Sequence, residues 1–477
     1  MLATEDKPVG KDAIQRTPDV KVEVHRWNWN KGRHTETWYL QSYIQDVSWQ
    51  KTIKNPAGNC NITTLPQYAD YHFFEQFQPL DVVRVLEFDQ LKWQGFLKRV
   101  QFGGWIDEQG NPHRTVTLQA TSFGAYLTEI VASIDISIFE QDSDFFGTAL
   151  QLAQDMEDAG ESGLTFAEAI TTVVKAWFNF LDTAIGSSKQ TDYMNSYVDF
   201  TTGVSGNAAP GLPKEVFLFY GNEEEVNLWQ VLQKLAEAPL NEFFFDEGPR
   251  KVWIDGKNVD LPRDKTYLIG RETPFDGSLN NATGAKEDRF KSMPFKTIPL
   301  SHLLRFDLNK SMEEVYSIHI VSPAIVDLSK LDLLATGHYV IDQPNFEKYS
   351  YRPNQHSLFY MQMAKKDDTA KVEEAPKISR RAGWVAQTLK NWYEHNDRFA
   401  SGVISYMVPS NVELDPRIGD KIAIEGLDAY FYVEGVSHQW NYGGPLQGSA
   451  SVTRGWKKTG GEIELKSKIF KRGKYIF

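Results

Sequence analysis

Pro79-Leu80-Asp81-Val82-Val83-Arg84-Val85, followed by Trp93-Gln94-Gly95-Phe96-Leu97-Lys98-Arg99-Val100, is echoed more than 300 residues later. The echo is Gly419-Asp420-Lys421-Ile422-Ala423-Ile424, then Tyr432-Val433-Glu434-Gly435-Val436-Ser437-His438-Gln439-Trp440. With Asp81 set on Asp420, Val83 falls on Ile422, Val85 on Ile424 and Trp93 on Tyr432; Gly95 and Gly435 are offset by one. Each copy leads into a third alternating run, Thr115-Val116-Thr117-Leu118-Gln119-Ala120 and Ser449-Ala450-Ser451-Val452-Thr453. Alternation of apolar and polar residues gives a strand one buried face. The chain therefore carries two copies of one small β-unit, as part of a larger ring would require.

Outward from these copies, the fold class is α+β and β-rich: two similar small β-barrel domains, a helical insertion and α/β peripheral segments. Residues 1–19 form a polar N-terminal arm with two prolines. Residues 20–125 are the first barrel domain, opened by the alternation Val20, Val22, Val24. The period changes in the insertion at 126–238, where Phe166, Ile170, Val173, Val174, Trp177, Phe178 and Leu181 share one helical face. Asp144–Met156 and Glu223–Glu237 are two further helix candidates, the latter with Leu228, Leu232 and Leu235 on one side. Residues 239–378 are peripheral and include the start of the second barrel. They hold β-runs at 241–246, 251–254 and 315–321, an exposed loop at 276–292 and a charged linker at 364–376. A helix with Val385, Leu389 and Tyr393 in one row begins the second barrel domain, 379–456. The last segment, 457–477, is basic.

At 477 residues the chain exceeds one core. Its net charge of −12 argues against binding duplex DNA or an anionic membrane, which needs a Lys/Arg surplus. An acidic wall would instead let a polyanion slide past. A single cysteine, Cys60, allows no internal disulfide. The N-terminus lacks signal-peptide form and no run of 18 apolar residues occurs, so folding in a cytoplasm and no membrane insertion are expected.

No catalytic chemistry is expected. The sequence lacks a nucleophile elbow, a phosphate-binding glycine loop, His-Glu-x-x-His and Cys-x-x-Cys. The nearest histidines, His25 and His34, have no third ligand in frame, so neither a metal site nor a cofactor is expected. His438, placed one residue off Arg99 in the other copy, reads as a strand histidine satisfied by a neighbour. The acidic triplet Glu223-Glu224-Glu225 suits the first turn of a helix. Aromatic residues make up 13% of the chain, enough to raise a sugar-stacking platform as an alternative. Trp27 and Trp29 share one strand face between Asn28 and Asn30, but packing is the favoured reading, with Trp49 and Trp93 in the core.

The first copy resembles the opening domain of phage baseplate hub proteins. The segment Leu235-Ala236-Glu237-Ala238-Pro239-Leu240-Asn241-Glu242-Phe243-Phe244-Phe245-Asp246 resembles the opening of their second tube domain, and Arg271-Glu272-Thr273-Pro274-Phe275 a turn that follows it. Arg417–Ile422, Tyr432–His438 and Val452–Trp456 are similar to the closing strands. That family includes the hub of contractile tails, the phage Mu and late-control D proteins and the N-terminal part of VgrG spikes. The resemblance covers about 20–456 and lies in the order of the motifs.

The resemblance implies a homotrimer whose two barrels per chain make a pseudo-sixfold ring. Its partners would be a tail tube or tube initiator above, a central spike or cell-wall hydrolase below, baseplate wedge proteins, a tape measure protein and DNA passing without sequence-specific contact. The place would be the virion tail baseplate, or an injection particle, assembled in the host cytoplasm. Three copies would carry three times −12, or −36, around the channel. The insertion is larger than a minimal hub needs, and no needle repeat or hydrolase module follows the second copy, so a separate spike is expected. Lys466, Lys468, Lys471, Arg472 and Lys474 in the basic tail are the candidate contacts to that spike or to a neighbouring subunit. The alternatives are a distal tail protein of a long-tailed phage and a glycan-binding or glycan-degrading tail protein.

Overall fold

The computed structural model describes residues 20–66, 70–106, 108–110, 112–129, 171, 174, 178, 182, 186–204, 227–236, 241–254, 256–274, 278–279, 286–287, 292–323, 338–358, 383, 385–393, 401–411 and 413–457. The expected arm at 1–19, the helix at 144–156, the acidic triplet at 223–225, the linker at 364–376 and all five basic tail residues lie outside them.

The first unit contains strands β1 (Val20–Asn28), β2 (Arg33–Tyr39), β3 (Ile44–Thr52), β4 (Asn59–Thr64), β5 (Val82–Glu87), β6 (Gln90–Ile106) and β7 (Pro112–Ser122), with short helices α1 (Tyr71–Glu75) and α2 (Gly124–Glu129). An intervening region follows: α3 (Lys189–Tyr197), β8 (Val198–Asp199), α4 (Leu228–Ala236), β9 (Asn241–Glu247), β10 (Arg250–Ile254), β11 (Lys257–Leu261), β12 (Thr266–Glu272), β13 (Ser278–Leu279) and β14 (Lys286–Glu287). The second unit draws on β15 (Phe295–Ile298) and β16 (Leu303–Asn309), then β20 (Ser401–Met407), β21 (Lys421–Ile424), β22 (Ala429–Asn441) and β23 (Gln447–Lys457). Between them, β17 (Ile318–Pro323), β18 (His338–Ile341) and β19 (Pro353–Leu358) make a separate three-stranded sheet, with α5 (Gln343–Tyr349) alongside in sequence. Val385, Ala386 and Leu389 of the helical residues 385–393 pack against Val321 of that sheet. The row Val385, Leu389, Tyr393 read from sequence is thus the face that packs.

Both units belong to one 13-stranded sheet in the order β16-β20-β23-β22-β3-β4-β7-β6-β5-β1-β2, with β21 on β22 and β15 on β21. Among the described residues no ladder closes either unit into a barrel; the two units are halves of an open path. The bridge between them is β22. Its first part pairs with β21 of its own unit, and its second part crosses to β3 of the other.

The duplication is real at the level of single hydrogen bonds. In the first copy, Gln78 N donates to Asp81 Oδ2 (2.9 Å), Asp81 N to Gln78 O (3.1 Å), and Leu97 N to Asp81 O (2.8 Å). In the second, Arg417 N donates to Asp420 Oδ2 (2.9 Å), Asp420 N to Arg417 O (3.1 Å), and Val433 N to Asp420 O (3.0 Å). The residue before each aspartate has positive φ, +72° at Leu80 and +78° at Gly419. Each long strand then carries a bulge at the same place, between Leu97 and Arg99 and between Val433 and Gly435.

These anchors correct the sequence superposition on the second strand. Phe96, not Trp93, stands where Tyr432 stands, because Val82 pairs with Phe96 and Lys421 with Tyr432. Arg99 corresponds to Gly435, and His438 to Phe102. The hairpin of the first copy is three residues longer: Val85 faces Trp93, whereas Ile424 is followed by the second hairpin arm at Ala429. A shared pattern around a turn of different length slips by the difference.

The main core joins both units in one cluster, with Trp93, Val83 and Leu118 of the first and Ile422, Phe431 and Val452 of the second. A second cluster sits between the first unit and the intervening region. There Trp27 is buried edge-on to Tyr193 (5.6 Å) and Tyr197 (6.1 Å), and half-buried Trp29 lies 5.1 Å from Tyr193. The tryptophan pair packs on α3, as the favoured reading expects. Val174 and Phe178 from the predicted helical face, and Leu228 and Leu232 of α4, fill the same cluster.

Candidate functional site: the junction of the two units

Seven residue pairs join β22 to β3, from Gly435 opposite Thr52 to Asn441 opposite Asp46. Beneath this ladder the two units meet through charged groups rather than through apolar ones alone.

Glu87 comes from the end of β5, Lys92 from β6, Asp415 from the segment before β21, and His438 from β22. His438 Nδ1 lies 2.7 Å from Glu87 Oε2, and its Nε2 lies 3.5 Å from Asp415 Oδ1. Lys92 Nζ donates to Asp415 Oδ2 at 2.5 Å. Trp49 Nε1 donates to Glu87 Oε1 (2.8 Å), and the Tyr406 hydroxyl is 3.3 Å from Asp415. All four ionisable side chains are sealed from solvent. Burial opposes charge on His438, but Glu87 and Asp415 outweigh it and push the imidazole up to about 9. Burial likewise opposes ionisation of Asp415; Lys92 and His438 overcome this and hold its carboxyl far below the ordinary carboxylate range. The result is a quartet of two acidic and two basic side chains, in which burial lowers the Lys92 pKa against the pull of Asp415.

Glu87, Asp415 and His438 also bring three ligand-type atoms within 4.8 Å of one another. The chemistry of the donor set does not fit a cation. Both ring nitrogens of His438 already face carboxylate oxygens, and Lys92 already supplies positive charge to Asp415. His438 is therefore the satisfied strand histidine that the sequence suggests.

A second network lies alongside. Lys51 of β3 donates to Asp246 of β9 (2.7 Å) and also contacts Glu247. Arg250 bridges Asp246 and Asp420, the latter at 2.8 Å, and Lys296 reaches Asp420 at 2.7 Å. Burial opposes the Asp420 charge, but Lys296 and Arg250 win and lower its pKa. Lys51, Arg250 and Arg417 do the same for Asp246, while burial leaves Glu247 raised to about 7. Arg271 completes the seam, donating to Glu242 (2.7 Å), Trp253 O (2.5 Å) and Gly419 O (2.7 Å). Gly419 is needed here: a Cβ would come within 2.6 Å of the Phe244 ring and 2.7 Å of Arg271 Nη2. The segment 241–272 is thus a wedge whose charges clamp both units.

The sequence holds faint signals of this site. Lys92 interrupts an apolar strand, and Asp246-Glu247 follow Phe243-Phe244-Phe245 directly. A charge at an inward strand position implies a buried counter-charge. Nothing in the sequence says that the counter-charge of Lys92 is Asp415, 323 residues away.

No protein-family model and no curated protein sequence matches this chain. Solved structures do resemble it. A tail protein from Neisseria meningitidis MC58 is 11% identical with a TM-score of 0.47, over 92% of this chain and 97% of that one. The 43 kDa tail protein of prophage MuSo2 from Shewanella oneidensis is 10% identical, TM-score 0.46, over 91% and 98%. The E. coli c3393 protein, a component of the type VI secretion system, is 9% identical, TM-score 0.36, over 89% and 76%.

Proposed function

We propose that this chain is a structural baseplate hub of a contractile tail or injection device. Three copies close a ring that adapts a sixfold tube to a threefold spike. The observation that carries this reading is the duplication itself: aspartate turn, positive-φ residue, bulge and strand register recur in two units of unlike sequence. Equal backbones give a ring of three chains six near-equivalent positions on one side. Unequal surroundings keep the true symmetry threefold on the other. Asp81, for example, pairs with Arg26, whereas Asp420 is held by Lys296 and Arg250.

In this reading the channel wall is acidic and lets DNA or cargo pass without adhesion. The role is structural rather than catalytic. The tube or its initiator, wedge proteins and a tape measure protein are neighbours in the baseplate, and the basic tail with Lys466, Lys468, Lys471, Arg472 and Lys474 holds a separate spike. No helix among the described residues is long and apolar enough to cross a membrane. The barrels expected from sequence are completed, in this view, only when neighbouring chains add their strands.

Native mass of the purified 54.4 kDa chain, followed by electron microscopy, tests the proposal. A species of three copies with a sixfold-like ring in projection is expected. A stable dimer or an open filament would reject it. Deleting 457–477 should leave the ring intact and weaken spike attachment.

A further inference from the structure

The junction inside the chain specifies a second junction between chains. Register equates residues 435–441 of β22 with residues 99–105 of β6, and β3 with β16. The latter match extends to the bulges, between Ile44 and Asp46 and between Leu303 and Arg305. Both members of the first pair are used: β22 lies on β3. Both members of the second are open. No described strand pairs with the outer side of β16, nor with residues 98–106 of β6 on the side that β5 leaves. These edges carry large exposed apolar groups, Phe102, Trp105 and Ile106 on β6 and Leu304 on β16. An exposed apolar edge strand is a template for another chain unless it is blocked, and neither edge carries a proline.

We infer that the β6 edge of one copy adds to the β16 edge of a second copy of this chain, in the register that β22 and β3 already use. The inference rests on the reading of this chain as a self-assembling repeat protein. Carrying the internal pairing across sets Phe102 opposite Leu308 of the next copy, where His438 stands opposite Trp49 in the chain itself. Gln101 falls opposite Asn309, and Trp105 opposite Arg305. The chemistry suits each position: an apolar pair, an amide pair, and a guanidinium against an indole. Phe306 and Leu308 are half-buried, whereas their counterparts Val47 and Trp49 are fully buried under β22. One added strand would close that difference. Because the two edges differ, the contact is heterologous, and such contacts close into rings or run on as filaments.

The internal ladder also sets the spacing. Ile53 N donates to Glu434 O, and Tyr442 N to Gln45 O. Alternation from these bonds makes Ser437–Gln50, and by equivalence Gln101–Asn309, a non-hydrogen-bonded pair with Cα atoms about 4.5 Å apart, within disulfide reach. Cys60 does not compete, being buried with its thiol pushed up well above its usual range by burial.

The test mixes two full-length single variants, Gln101→Cys and Asn309→Cys, under mild oxidation while native mass is followed. The expected result is a disulfide-linked pair from the mixture, absent from either variant alone and from Gln101→Cys mixed with Arg305→Cys. An oligomer of three copies without the link overturns this pairing but leaves the hub reading in place. A link within an open polymer upholds the pairing and removes the closed ring. A chain that stays monomeric to its solubility limit, without a link, overturns the pairing.

Discussion

The second halves of β22 and β6 are the same strand segment in two settings. Both follow a bulge, both are held on one side by the next strand of their unit, and both continue past their first partner. Yet His438 is 2% exposed, while its counterpart Phe102 is 41% exposed. The backbone is common to the two copies; burial depends on whether a third strand arrives. The same contrast holds for charge. In the first copy Asp81 meets the partly exposed Arg26, while in the second Asp420 is held by Lys296 and Arg250. A repeat can thus fix geometry while leaving each copy free to evolve its own seam.

The comparison breaks most visibly at the quartet. Asp415→Asn leaves Lys92 buried without its counter-charge, and should cost about 3–5 kcal/mol in denaturant unfolding. A loss under 1 kcal/mol would mean that water reaches the quartet. Next, Trp440→Ala should cost about 3–5 kcal/mol, and Phe102→Ala under about 1 kcal/mol in the monomeric chain. Equal losses would erase the distinction between covered and open halves.

The pH response sharpens the same point. His438 is raised from 6.5 to about 9 in the fold, so the stability it adds is fully present below about 6.5 and fades as pH rises through 9. The shift corresponds to about 3 kcal/mol. Asp415 works in the opposite sense, since its lowered pKa gives stability above the ordinary carboxylate range that is lost in acid. A melting temperature that falls between pH 7 and 9.5, and a flatter profile in His438→Gln, are expected. An unchanged profile in that variant would show that another group titrates. The turn gives a separate check. Gly419→Ala should cost about 1–2 kcal/mol from its positive φ, plus displacement of Arg271 or Phe244. Ala at Leu80 should cost less, because a side chain is already accommodated there at φ +72°.

The sequence by itself determined the two copies, their aspartate turns, the β-runs at 241–246 and 251–254, the buried faces of α4 and of residues 385–393, and the packed state of Trp27. Each is a local pattern: alternation, a 3.6-residue period, or turn chemistry legible within a dozen residues. It did not determine the register of the second hairpin arm, which depends on a turn three residues longer in one copy than in the other. Nor did it determine that both units share one open sheet, or that Glu87 would meet His438 across 351 positions. Those depend on which edge a long strand joins after it outruns its own hairpin. Only the folded chain decides that, because backbone groups on an edge are alike in every strand and only tertiary packing selects among them.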